Sequence, residues 1–80
     1  IFIYGSDEPR SFWMKNTLIP LDLIFADSRG IVVDMKENFK PCEDFGCPRY
    51  VSRPAKYVLE VNAGFAKKHG IRAGDTMKVG

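Results

Sequence analysis

The chain has 80 residues and a formal net charge of +2, from 12 Lys and Arg against 10 Asp and Glu. That length supports one domain, and a domain so small buries only somewhat more than about 60% of its unfolded surface. A hydrophobic content of 45% with six Phe excludes a disordered tail, and the weak charge argues against nucleic acid as a partner. No stretch approaches the ~20 apolar residues of a membrane span, and no signal peptide is visible. Residues 55–80 carry five Lys and Arg against two acids, which predicts a mildly basic, solvated face. The absence of Gln beside 28% charged residues is a thermophile pattern, so a thermophilic source is expected.

Residues 1–4 are a β-branched and aromatic run that predicts a strand, and Gly5-Ser6-Asp7-Glu8-Pro9 reads as a loop. Residues 10–17 predict a second strand. Phe12, Met14 and Asn16 fall on one face, and Trp13, Lys15 and Thr17 on the other. Pro20 cannot donate to a ladder and belongs at a strand start or edge. Residues 21–26 then alternate, with Leu21, Leu23 and Phe25 forming an apolar face. Asp27-Ser28-Arg29-Gly30 is a hairpin turn. Residues 31–36 return as its partner strand, with Ile31, Val33 and Met35 inward.

Residues 37–54 hold three Pro, a Gly and both Cys, and predict an irregular segment. Residues 55–61 predict a strand with Tyr57, Leu59 and Val61 on one face. Asn62 would cap a short helix running to His69, which Gly70 ends. Residues 76–79 predict a last strand. About six strands and one helix give a mainly β fold: a small antiparallel β-barrel or sandwich with one short helix near the C-terminus.

Three groups of residues are candidates for chemistry. Trp13, Lys15 and Thr17 have Asn16 and Asp22 close by in sequence. An indole beside an ammonium and hydrogen-bonding groups suits a carbohydrate or another small polar ligand. The same residues also suit a structural role, with the sole Trp as a core anchor under the Lys stem, and Asn16 and Asp22 bonding the backbone near Pro20.

Cys42 and Cys47 form the second group, separated by four residues. A structural disulfide is the expectation, and closing so short a loop would be worth about 2 kcal/mol. Two free thiols, a metal site with His69, Glu43 or Asp44, and a redox pair remain alternatives. A disulfide implies an oxidising compartment or a hyperthermophile cytosol. The third group, the carboxylates Asp22, Asp27, Asp34, Glu60 and Asp75, shows no spacing that demands a shared site. No Gly-rich phosphate loop and no nucleophile elbow is present.

The block Ser11-Phe12-Trp13-Met14-Lys15-Asn16-Thr17-Leu18-Ile19-Pro20-Leu21-Asp22 resembles the domain of unknown function 192 family. Its members share a Phe/Gly-Trp-Met-Lys-Asn-Thr core followed by an apolar-Pro-Leu-Asp run. Pro41-Cys42 and residues 54–61 running into residues 70–75 extend the resemblance over nearly the whole chain. The resemblance implies a compact, mainly β domain with no assigned activity. Its loop often carries cysteines, which supports a structural staple. Relatives have further residues upstream, and many carry export signals. The domain is therefore expected to be N-terminally incomplete. Its expected location is exported, periplasmic or extracellular, with the cytoplasm of a thermophile as the alternative. An edge left by a missing strand would favour a homo-oligomer. The extra Asp44-Phe45-Gly46 before Cys47 departs from the family pattern.

The functional expectation is a non-enzymatic accessory module that binds a small polar ligand or a protein, with no cofactor. Its contacts would be Trp13, Lys15, Asn16 and Tyr50. The alternatives are an enzyme using the Trp13, Lys15 and Asp22 face, and a metal-dependent module at Cys42, Cys47 and His69. Gly70-Ile71-Arg72-Ala73-Gly74-Asp75-Thr76-Met77 further predicts a barrel-like closure.

Overall fold

The computed structural model describes residues 1–43 and 46–77. Its elements are β1 (Phe2–Glu8), β2 (Ser11–Phe12), β3 (Leu21–Ala26), β4 (Val32–Phe39), β5 (Tyr50–Val51), β6 (Ala55–Asn62) and the one-turn helix α1 (Phe65–Lys68). The strands β1-β6-β3-β4 form an open antiparallel sheet, and β2 pairs with β5 in a separate two-stranded ribbon.

Strand β3 sits inside the sheet and is buried on both faces. The two-residue period of a strand sends Leu21, Leu23 and Phe25 one way and Asp22, Ile24 and Ala26 the other. Leu23 and Phe25 join Met14, Phe39, Ala55 and Val58 in the larger core, against which Tyr4, Phe12 and Tyr50 pack. The β2–β5 ribbon therefore covers this face. On the opposite face Ile24 and Val32 meet Ala66 of α1, with Ile71 and Met77 closing the edge. A thin sheet between a ribbon and a short helix is a layered solution to burying both faces of a small domain.

The β3–β4 hairpin is built by its turn. Asp27 Oδ1 accepts the N–H groups of Arg29 and Ile31 at 2.9 and 3.1 Å. The Arg29 guanidinium donates to Asp27 Oδ2, which holds this carboxyl below the usual carboxylate range. Beyond the turn the register slips twice. Phe25 pairs with Asp34 but Ala26 with Val32, so Val33 is an extra residue that turns to the ribbon face. Leu21 pairs with Phe39 but Leu23 with Lys36, which leaves a second bulge at Glu37 and Asn38. There Asn38 takes φ 49°, a left-handed conformation that Asn tolerates better than most residues.

Several expectations change. The fold is mainly β and antiparallel with one short helix near the C-terminus, as predicted, but the sheet does not close into a barrel. The segment after Gly70 returns to the hairpin through an isolated bridge between Ile31 and Thr76; the rest of the predicted last strand, residues 78–79, lies outside the described residues. The predicted loop at Gly5–Glu8 is the second half of β1, irregular in its pairing with β6. Arg10 supports it, donating to the Ser6 and Ala55 carbonyls and stacking 3.7 Å from the Tyr4 ring centroid. The predicted strand over residues 10–17 shrinks to Ser11–Phe12. Beyond it the chain makes one bridge, Lys15 to Cys42, and a turn closed by the Thr17 N–H on the Met14 carbonyl. Strand β4 runs to Phe39 rather than Lys36. Asn62 does not cap the helix; Gly64 occupies that position without a side-chain cap of its own.

The candidate functional site

Asp22 takes over the capping role from a distance. Its side chain is 1% exposed, and both oxygens are engaged by backbone donors. Oδ1 accepts the Asn38 N–H at 2.8 Å. Oδ2 accepts the N–H groups of Gly64 and Ala66 at 3.1 and 3.0 Å. A carboxylate at the first turn of a helix satisfies amides that the helix itself leaves unpaired. Asp22 thereby joins three elements: β3 that carries it, the bulge of β4, and α1. This geometry gives it a structural role and points no free oxygen at a substrate.

The bulge opens onto a cleft of about 450 Å³ between the end of β4 and the cysteine loop. Lys36, Asn38 and Phe39 form one wall and Lys40 and Pro41 continue it, while Pro48, Arg49 and Tyr50 face them. A disulfide joins Cys42 to Cys47 with their Cα atoms 5.6 Å apart, so the loop is covalently closed at the cleft. The Cys42 N–H bonds the Met14 carbonyl at 3.1 Å, which ties the loop to the Trp13–Lys15 segment. Of the extra Asp44-Phe45-Gly46 noted in the sequence, Asp44 and Phe45 lie outside the described residues.

Tyr50 is fixed from below. Its hydroxyl donates to Asp34 Oδ1 at 2.7 Å, and Asp34 also accepts the N–H groups of Met35 and Arg53. Burial, and then the adjacent Asp34 carboxylate, push the phenol up to about 12. The Lys36 ammonium lies 5.4 Å from the Phe39 ring centroid and 5.7 Å from that of Tyr50. Across the cleft the Arg49 guanidinium lies over the Trp13 ring, 4.2 Å from its centroid, with the Lys15 ammonium 5.5 Å from the same ring. Both distances fall within the reach of a cation–π contact.

The four residues expected to bind ligand thus differ in placement. Tyr50 lines the cleft. Trp13 is 44% exposed, which rules out the core-anchor role, and it reaches the cleft through Arg49. Lys15 bridges to Cys42 beside the loop. Asn16 is exposed, at φ 64°, in the turn that follows. The sequence reading missed Lys36, Lys40 and Arg49. It placed basic character at residues 55–80, whereas these three cations meet only through the fold. The metal reading at Cys42, Cys47 and His69 does not hold. Both sulfurs are spent in the disulfide, and His69 stacks on Phe65 at the end of α1, on the other face of the sheet. Among the described residues no group of three His, Cys, Asp or Glu is placed to hold a metal.

The model of the DUF192 family, described as Uncharacterized ACR, COG1430, matches residues 1–79. The chain belongs to this family. Two solved structures share its fold. A Sinorhizobium meliloti protein described as a "putative transcription regulator" is 39% identical with a TM-score of 0.83, covering 94% of this chain and 57% of its own. A Novosphingobium aromaticivorans protein of unknown function is 35% identical with a TM-score of 0.77, covering 88% of this chain and 49% of its own. This DUF192 chain therefore spans only about half the length of each. No curated protein matches it. No helix among the described residues is long and apolar enough to cross a membrane.

Proposed function

We propose that this DUF192 domain is a non-enzymatic accessory module that takes a small polar ligand in the cleft between β4 and the disulfide loop. The observation that carries the reading is the cleft itself, whose volume of about 450 Å³ lies within the range of small-molecule sites. Tyr50 stands in its wall, and Trp13, Lys15 and Asn16 lie on the segment that the Cys42 backbone binds. The non-catalytic part of the reading is supported by Asp22, whose oxygens are committed to three backbone donors. The disulfide supports an exported setting, because such bonds persist chiefly in oxidising compartments.

Trp13→Ala tests the reading. Titrating small polar compounds against wild type and variant by heteronuclear NMR should give shifts at Tyr50 and Arg49 that the variant loses, with its folded spectrum otherwise intact. A variant that unfolds globally, or one that binds unchanged, removes Trp13 from the site. Pairing of copies along the outer edge of β1, where Ile1, Phe2 and Ile3 are exposed, is a second proposal. Light scattering across micromolar concentrations tests it, and a monomer throughout rejects it.

A further inference from the structure

We infer that the cleft selects an anion: a small organic ligand whose carboxylate or phosphate is gripped by Arg49, Lys36 and Lys40. This inference deepens the binding-module reading and rests on it. Three cations line the cleft, and among the described residues lining it there is no carboxylate. The ion pairs among the described residues, Arg10–Glu8 and Arg29–Asp27, involve none of the three.

The arrangement of Arg49 is the decisive feature. Its guanidinium lies 4.2 Å from the centroid of the Trp13 ring. A guanidinium carries its N–H groups in its own plane, at the rim. Those groups form the rigid fork that pairs with a carboxylate or phosphate through two parallel hydrogen bonds. Contact with the ring restricts the side chain before any ligand arrives. Ordering a long side chain in advance removes part of the entropy lost on binding. Across the cleft, Lys36 rests near Phe39 and Tyr50, so an ammonium lies next to an aromatic surface. Pro41 and Pro48 complete an apolar rim. Such a cleft fits a ligand with a flat or apolar body and an oxyanion at one end. The same surroundings disfavour a cation, which would meet three like charges with no acid among the described lining residues to receive it.

The disulfide and the bulge hold the cations together. Cys42 and Cys47 tie the chain just after Lys40 to the chain just before Arg49. Asp22 holds the Asn38 amide between Lys36 and Lys40. One anchor acts between the two lysines and the other just beyond Lys40.

The test uses four probes that separate charge from shape: glucose, glucuronate and glucose 6-phosphate, which share a ring, and inorganic phosphate, which has none. Each is titrated into the oxidised protein through the millimolar range, following the fluorescence of Trp13 and the amide shifts of the cleft. Glucuronate, glucose 6-phosphate or phosphate should shift Lys40, Arg49 and Tyr50, and the affinity should fall as salt is added. Glucose should bind at least about tenfold more weakly than the best anion. Arg49→Gln should weaken the anion by about tenfold or more, whereas Lys67→Gln, on the exposed face of α1, should change nothing. Glucose binding at the cleft as tightly as the anions would overturn the inference and leave the binding module standing. If no probe perturbs the cleft, both readings fall.

Discussion

Replacing Asp22 by Ala should be among the most costly single changes in this domain. The carboxylate is 1% exposed and accepts three backbone hydrogen bonds. In the variant the Ala66 N–H would stay buried without a partner, at a cost of about 1–3 kcal/mol. The N–H groups of Asn38 and Gly64 belong to exposed residues and can turn to water, so each loses only a net bond of about 1 kcal/mol. The sum is roughly 3–5 kcal/mol. Set against a total stability of about 4–12 kcal/mol for 80 residues, this removes a large share of the margin. Urea unfolding followed by Trp13 fluorescence and far-ultraviolet circular dichroism would measure it. The midpoint should fall with the slope unchanged, and amide exchange should quicken first at Asn38, Gly64 and Ala66. A loss below about 1 kcal/mol, or no change in those three amides, would refute the view that Asp22 ties the sheet to the helix.

Reducing the Cys42–Cys47 disulfide should lower stability by about 2 kcal/mol through loop entropy, read as a shift of the urea midpoint with and without a thiol reductant; no shift would mean that the bond leaves the unfolded chain unrestrained. Gly30→Ala should destabilise by at least about 1 kcal/mol, because Gly30 has φ +80° and an added Cβ would lie 2.6 Å from the Met77 carbonyl oxygen. Thermal melting checks this, and an unchanged melting temperature would contradict the close approach of the two segments. For Tyr50, the fold raises the phenol above its unfolded value near 10, so its contribution is whole below that pH and is lost as pH climbs through about 12. Ionisation would put a phenolate 2.7 Å from the Asp34 oxygen. The urea midpoint should therefore fall between about pH 9 and about pH 11 by more in wild type than in Tyr50→Phe; equal losses would assign the alkaline sensitivity elsewhere.

The regular parts of the fold were legible because they are local. Alternation marked β3 and most of β6, and Asp27 with Gly30 marked the hairpin between β3 and β4. The parts that went unread depend on distant residues. Gly5, Ser6 and Asp7 look like a loop, and they lie in β1 between residues that pair with β6, with the Ser6 carbonyl held by Arg10. Asn62 has the chemistry of a helix cap, but the cap is Asp22, about forty residues earlier, and nothing near Gly64 announces it. Residues 13–17 carry a strand pattern without a long partner strand among the described residues, where they form one bridge. The candidate site divides along the same line. Trp13 and Tyr50 are conspicuous residue types, whereas Lys36, Lys40 and Arg49 are ordinary in sequence and become a group only when the disulfide and the β2–β5 pairing fold the loop back.

The bulge at Asn38 links the two halves of this account. Regular pairing of β3 and β4 past Lys36 would place successive residues on alternate faces without interruption. The extra residue shifts that alternation, so that Phe39 re-enters the larger core opposite Leu21 while Lys36, opposite Leu23, stands at the cleft. A left-handed Asn costs on the order of 1 kcal/mol and persists only where its surroundings fix it. Here the Asp22 carboxylate fixes it by binding the Asn38 N–H, from the face of the sheet that also holds α1. One buried side chain thus supports the helix on one side and shapes the cleft wall on the other. Loss of the helix contact would free Asp22 to move, and the spacing of Lys36 and Lys40 would move with it. The geometry of the binding surface and the stability of the fold are in this way properties of the same three hydrogen bonds.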